Sequence, residues 1–303
     1  MSEELSGVLI VHKHAGVTSH DIVGKVRRLF GTRRVGHAGT LDPMATGVLV
    51  VLIGRAAKAA EYLSANSKQY RATLRLGITT DTEDTTGEIL TRSEEIPNLA
   101  ALQATIPSFR GKIQQIPPMY SALKVGGKKL VDLARQGQVI ERKPREIEIF
   151  DLQVSPTDSP CDFMLDVSCS GGTYIRTLCA DMGAALGCGG AMAALERREA
   201  CGFSLAQAHT IDELEQLSYE ERAALLIPTE SLFASLPAIP LPAFYERLCR
   251  SGCEIYLRKL RIDLPIGTRV RILTERGDFF ALGEVFDYEN GAAVKAIKTF
   301  SLE

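Results

Sequence analysis

The chain has no tryptophan, and aromatic residues make up only 6% of its 303 positions. It has no apolar run of about 18 residues, the length that a membrane-crossing helix needs. The opening stretch, MSEELSG, lacks the basic and apolar regions of a secretory leader, so the expectation is a cytoplasmic protein that makes no membrane contact. All seven cysteines fall between Cys161 and Cys253 and include no Cys-x-x-Cys pair. An odd set without that spacing argues against both a disulfide framework and a zinc site, and reads as reduced, mostly buried thiols. Also missing are a Gly-x-x-x-x-Gly-Lys-Ser/Thr loop and a usable Gly-x-Gly-x-x-Gly turn after a strand, which removes the common nucleotide-binding readings. Net charge is small, at −2, so any phosphate-binding surface must be local.

What is present is ordinary globular material, 45% hydrophobic and 24% charged, in a length that suggests about two domains. One basic run, Lys25, Arg27, Arg28, Arg33 and Arg34, contains no acid. Acids collect instead in 81–88 and 212–221. From charge alone the basic run fits a solvated helix face as well as a phosphate track.

The basic run leads into 36–47, GHAGTLDPMATG, whose three glycines and Asp-Pro step describe an irregular loop. Before it, Ile22, Val23, Val26, Leu29 and Phe30 share one face of a helix that Thr18 or Ser19 can cap. After it, the unbroken apolar run 48–53 has the pattern of a buried strand. Asp42 is thereby held between rigid elements. Its sequence neighbours Leu41, Pro43 and Met44 offer no charge, so an ionised carboxylate there needs a partner from elsewhere. The plainer alternative is an Asx-turn or a helix cap.

The remaining elements follow from the same rules. Segment 7–11 reads as a short strand, 70–76 as an alternating strand closed by Gly77, and 96–109 as a surface helix entered after Pro97. TTDTEDTTGE lacks the ligand order of a calcium loop and reads as a Thr/Asp turn region. His12 and His14 have ligand-like spacing, but a lone His-x-His is too weak to assign a metal. Segment 163–169 alternates as a strand, and SGGTYIRTLCADMGAALG turns into a helix carrying Ile175, Leu178, Met182 and Leu186 on its apolar face, with Thr173 as N-cap. Tyr174 and Arg176 then sit in a first helical turn, where an arginine makes a good receptor for carboxylate or phosphate. LPAIPLP, 236–242, reads as a linker, and the glycine-punctuated short strands beyond it suggest a small β-barrel.

GHAGTLDPMATGVL resembles the active-site motif of the TruB family, bacterial synthases of pseudouridine at position 55 of tRNA. Further matches follow in order along most of the chain. Lys13, Gly16, Thr18 and Ser19 match an Asp-Lys-Pro-x-Gly-x-Thr-Ser motif, in which His12 and His14 here replace the Asp and the Pro. Gly-Thr-Tyr-Ile-Arg matches at 172–176, and Leu-x-Arg matches at Leu195 and Arg197, although Cys201 stands where glycine is usual.

The resemblance implies an α/β catalytic domain on a largely antiparallel mixed sheet, 1–235, with an RNA-clamping insertion at about 124–150 that bears Lys124, Lys128 and Lys129. A PUA-like RNA-binding β-barrel, 236–303, would follow. Asp42 would be the catalytic carboxylate, Arg176 its ion-pair partner, and Tyr70 the ring that stacks on the target base. Tyr174 and Leu195 would wall the pocket. His37, Lys13 and Arg197 are the remaining substrate-binding candidates. The implied reaction needs no cofactor or metal, and its implied partner is the T-arm of tRNA, bound by a monomer without guide RNA. Asp42 could act as nucleophile, base or electrostatic stabiliser. The competing reading is a tRNA-binding or folding protein that uses the same cleft without chemistry; retention of Asp42, Tyr70, Tyr174 and Arg176 together speaks against it.

Overall fold

The computed structural model describes residues 5–63, 66–121 and 123–301; the side chain of Lys129 lies outside the described set. A nine-stranded mixed sheet organises the larger part of the molecule. Its main path runs Gly7–Lys13, Thr46–Ile53, Gly190–Ala200, Lys68–Leu76, Asp162–Cys169, Arg145–Pro156 and Gly111–Gln115. Val35–Ala38 pairs beside Thr46–Ile53, and Phe203–Ser204 beside Gly190–Ala200. The contact between Thr46–Ile53 and Gly190–Ala200 is parallel, while the neighbouring pairs are antiparallel. This agrees with the expected α/β architecture on a largely antiparallel sheet.

The apolar run at 48–53 follows from burial on both faces. Leu49, Val51 and Ile53 point into the core beneath helices Ser19–Leu29 and Ile175–Ala185. Val48, Val50 and Leu52 point the other way, into a second core completed by Leu232, Phe233, Leu282 and Phe300. Lys68–Leu76, by contrast, alternates. Tyr70, Ala72, Leu74 and Leu76 are buried, while Arg71 and Arg75 on the outer face make two-point ion pairs with Asp166 and Asp162 of the adjacent strand, at 2.8 and 2.7 Å. That outer face is partly open to water and knitted across strands by charge.

Two expectations for the C-terminal region are corrected. The second sheet has five strands in the order Ala238–Pro240, Arg269–Leu273, Phe279–Tyr288, Gly291–Thr299 and Ile255–Tyr256. It curls, but its two edge strands do not pair, so it is a half-barrel rather than a closed barrel. One face packs on helix Ala243–Arg250 around Val270, Ile272 and Val285. The other offers Leu282, Phe279 and Phe300 to the large sheet, which satisfies by docking what closure would otherwise satisfy. Nor is 236–242 a free linker: Ala238–Pro240 is a strand parallel to Arg269–Leu273, and Ile239 and Leu241 are buried.

Candidate active site

Asp42 lies in the loop between Val35–Ala38 and Thr46–Ile53, and four side chains brace it. Ser19, buried in the first turn of its helix, takes the amide of Leu41 on its Oγ at 2.8 Å and donates back to the Leu41 carbonyl at 3.1 Å. Thr18, not Ser19, caps that helix, in a capping box with Asp21. Lys13 is fully buried and donates Nζ to the carbonyls of His14, Val17 and Pro43 at 2.9, 2.8 and 3.2 Å. Burial pushes its pKa down to about 8 against the pull of Asp42, so at neutral pH it is still an ammonium with three donors for three acceptors. The amide of Gly16 also reaches the Pro43 carbonyl, at 2.8 Å.

Arg197 is the third brace. It is fully buried and spends its guanidinium on backbone carbonyls, Nε to Val48 at 2.8 Å, Nη2 to Gly39 at 3.0 Å and Nη1 to Thr40 at 3.3 Å. Its own backbone lies against Gly47, where a Cβ would fall 2.2 Å from the Arg197 carbonyl oxygen. With φ at +104°, that position needs glycine for two separate reasons. Lys13 and Arg197, both substrate-binding candidates by sequence, hold the loop through its carbonyls; Arg197 also lines the cavity in front of Asp42, and Lys13 is not among the lining residues.

Arg176 is the fourth, and the only one of the four that holds the carboxylate itself. Its Nε meets Asp42 Oδ2 at 2.9 Å and its Nη2 meets Oδ1 at 3.3 Å, a two-point pairing. The arginine side chain is 6% exposed and the Asp42 side chain 34%, so the cation is sealed while the anion faces the cavity. The remaining donors are satisfied by the Tyr120 carbonyl at 2.8 Å and the Thr82 carbonyl at 3.1 Å.

The turn region 81–88 thus has a structural job that its composition did not reveal. The buried Asp84 accepts from Thr82 and from both the amide and the hydroxyl of Thr86 on Oδ1, and turns Oδ2 toward Arg176 Nε at 3.9 Å. Beside it Glu83, at φ +63°, accepts from Thr177. Burial raises the pKa of Glu83.

Thr173 does not cap the following helix; its hydroxyl bonds the Ser170 carbonyl instead. The cap position belongs to Tyr174, and the buried Gln115 from Gly111–Gln115 takes the Tyr174 amide at 2.8 Å and donates to its carbonyl at 3.0 Å. A side chain from a distant strand does what a local hydroxyl was expected to do.

These residues enclose a cavity of about 750 Å3, a size suited to a small ligand. Asp42, Tyr70, Tyr174, Leu195, Arg176 and His37 all line it. Tyr70 and Leu195 are 7% and 9% exposed, and burial raises the pKa of both Tyr70 and Tyr174, keeping the phenols protonated at neutral pH. His37 is pushed toward the neutral form, first by burial and then by Arg197. Tyr120 and Ser121, with Val131 and Arg135 further along the chain, complete the wall, and Tyr120 is tied to the turn region through a 3.2 Å hydrogen bond to Asp81. Among the described residues no cluster of three or more His, Cys, Asp or Glu could hold a metal ion. His14 Nδ1 lies 2.8 Å from the Ala15 carbonyl, and His12 joins the sheet through its backbone. Cys201 takes φ +56°, which accounts for glycine being usual at that position.

A mixed sheet that presents one arginine-clamped aspartate in a cavity lined by two tyrosines defines the class: an enzyme of the pseudouridylate synthase type. The chain belongs to the TruB family, whose N-terminal pseudouridylate synthase model matches 27–175 and whose synthase B C-terminal model matches 176–234. It is 42% identical over 283 residues to the tRNA pseudouridine synthase B of Francisella tularensis subsp. novicida, covering 92% of this chain and 91% of that one. The corresponding protein of Syntrophotalea carbinolica is 46% identical over 238 residues, 78% of this chain and 77% of the other. A solved chain in a Cbf5-Nop10-Gar1 complex superposes with a TM-score of 0.75 at 24% identity, covering 97% of this chain and 85% of that chain, which speaks to the shared fold.

Proposed function

We propose that this synthase isomerises the uridine at position 55 in the T-loop of tRNA, with Asp42 as its catalytic group. The observation that carries the reading is the Asp42 carboxylate, clamped at two points by a buried arginine yet open to a cavity walled by Tyr70, Tyr174 and Leu195. Pseudouridine formation breaks the bond from ribose C1′ to uracil N1, turns the base, and forms the bond from C1′ to C5. The C5 proton leaves and N1 gains one, so the composition of the substrate is unchanged and no redox or group-transfer partner is needed. The demand falls on the sugar carbon, where an anion must meet the charge or the proton that bond cleavage produces. Arg176 holds the Asp42 carboxylate at two points and aims it for that task.

A stacked uridine cannot reach this cavity, so the base is flipped out at a cost of about a few kcal/mol, offset by stacking on Tyr70 and contact with Tyr174 and Leu195. His37, neutral and at the cavity edge, contacts the flipped nucleotide or the space it vacates. Residues 1–235 form the catalytic part with its insertion, and 236–303 the PUA-like RNA-binding part. Recognition by a monomer without a guide RNA is supported by the chain's own insertion, from which Val131 and Arg135 line the cleft. No helix among the described residues is long and apolar enough to cross a membrane, which accords with a cytoplasmic setting.

The test is Asp42→Asn, which keeps volume and turn geometry but removes the charge. With unmodified tRNA, it should bind within a few-fold of the parent and form no pseudouridine in a single turnover. Near-parental single-turnover formation would overturn the catalytic assignment; a parent that binds tRNA without isomerising it would favour a folding role.

A further inference from the structure

Gln115 ends the strand Gly111–Gln115 at the edge of the large sheet, is 2% exposed, and is not among the residues that line the Asp42 cavity. Its partner in the sheet is Arg145, so the chain leaves the sheet at one and returns at the other, and the excursion 116–144 carries most of the insertion. The Gln115 carboxamide is spent on the backbone of a single residue: Oε1 accepts the Tyr174 amide at 2.8 Å and Nε2 donates to the Tyr174 carbonyl at 3.0 Å. That carbonyl also receives the Leu178 amide at 3.0 Å, in the first turn of helix Ile175–Ala185, and Tyr174 makes no side-chain cap bond of its own. Two residues further on, Arg176 gives Nη2 to the Tyr120 carbonyl at 2.8 Å. One stretch, 115–120, therefore holds the start of this helix twice, through the backbone of Tyr174 and through the guanidinium of Arg176.

We infer that Gln115 is a positioning residue for the isomerisation: it locks the start of this helix so that Arg176 is aimed at Asp42 and Tyr174 is held in the cavity wall, an inference that rests on the reading of Asp42 as the catalytic group. The Tyr120 carbonyl alone would leave the helix start free to pivot about the guanidinium. A second, two-point contact at Tyr174 removes that freedom, and reaction rates are sensitive to misplacements of about 1 Å that originate away from the reacting atoms. The chemistry required of the side chain is narrow. An amide sets an acceptor beside a donor, which matches the N–H and C=O of one residue, whereas an ionised carboxylate only accepts and would turn an oxygen against the Tyr174 carbonyl. A protonated carboxyl restores the donor.

The experiment measures single-turnover pseudouridine formation at saturating tRNA, tRNA affinity and the urea midpoint for parent, Gln115→Glu and Gln115→Leu, between about pH 5.5 and about pH 8.5. The glutamate keeps the shape of the amide, and burial raises its pKa, so it is protonated at the acid end and loses its donor as the pH rises. Its rate should lie within about threefold of the parent at the acid end and fall by about ten- to a hundredfold relative to the parent at the alkaline end, with tRNA affinity within a few-fold throughout. Gln115→Leu, with neither donor nor acceptor, should be slow by a similar factor at every pH. Rates are read at a temperature where far-ultraviolet circular dichroism shows each variant folded, so a purely stabilising role predicts lower urea midpoints with parental rates. That outcome, or a glutamate variant whose rate relative to the parent does not change with pH, would overturn the inference and leave the reading of Asp42 in place. A parent that forms no pseudouridine, or an Asp42→Asn protein that does, would refute that reading and the inference with it.

Discussion

Tyr70 is 7% exposed at the start of Lys68–Leu76, paired with Arg197 on one side and Val167 on the other, so its ring is presented to the cavity by a strand that cannot shift. Burial keeps its phenol protonated, and stacking is the contribution that geometry favours. Base-to-aromatic stacking is worth about 1–3 kcal/mol. Tyr70→Ala should therefore lose about that much in productive RNA engagement, read as single-turnover rate against RNA concentration. Tyr70→Phe should keep the affinity, and any loss of rate in it isolates the hydroxyl. If both variants turned over like the parent, the ring would be a core residue only. At this scale the sequence was informative where a side chain meets the cavity, as at Asp42, Tyr70 and Arg176. It offered Ser19 only as a helix cap and a motif match, and was silent on Gln115 and Asp84; all three act through backbone atoms or through another side chain. Such roles depend on register between elements 22, 59 and 92 positions apart in the chain, as in Ser19 to Leu41, Gln115 to Tyr174 and Asp84 to Arg176.

Element boundaries tell the same story in backbone terms. The run 48–53 was legible as a buried strand because a strand covered on both faces has no polar side to confuse its pattern. The alternation of 70–76 and the helix before Asp42 were legible for the opposite reason, one buried face set against one polar face. The Thr173 cap was not, since a local hydroxyl is the common solution and only the approach of Gly111–Gln115 supplies another. The Asp42 loop depends most on Gly47, where Thr46–Ile53 begins and meets Gly190–Ala200 in parallel at Arg197. A methyl group there would enter the Arg197 backbone, with the carbonyl oxygen at 2.2 Å, in a backbone conformation already unfavourable to a side chain. Left-handed backbone costs roughly 1–2 kcal/mol and overpacking typically 1–3 kcal/mol, so Gly47→Ala should lose about 2–5 kcal/mol in urea unfolding. Because the strain falls beside Arg197, single-turnover activity at a temperature where the variant is folded should drop as well. A parental urea midpoint would show that the strand start can move, and that the glycine is not what sets the loop.

For the whole molecule, composition suggested two domains joined by LPAIPLP, and the structure joins them by packing. Val8, Ile10, Val48, Val50 and Leu52, each at most 1% exposed, form one core with Leu282, Phe279 and Phe300. Phe233, Phe279 and Phe300 meet with ring centroids 5.4 to 5.9 Å apart. Arg271 reaches Glu230 at 2.7 Å across the same seam, and Arg269 and Lys298 lie over the ring of Tyr62. A chain ending at 235 would return the outer face of the central strands to water. Burying a side chain of this size is worth about 1.5–3 kcal/mol, and single domains are stable by only about 5–15 kcal/mol, so losing three such partners takes a large share of the total. The 1–235 fragment should therefore bind a hydrophobic dye and unfold at a much lower urea concentration than the full chain, followed by far-ultraviolet circular dichroism. Cooperative unfolding of the fragment at the parental midpoint, without dye binding, would mean that the shared core adds little and that the two parts are independent after all. If the fragment is loosened as expected, loss of activity in it says nothing about RNA binding by the C-terminal sheet. That contribution has to be measured in the intact chain by reversing an exposed charge of the C-terminal sheet's own turns, as at Arg276, where the change leaves the seam between the two sheets in place.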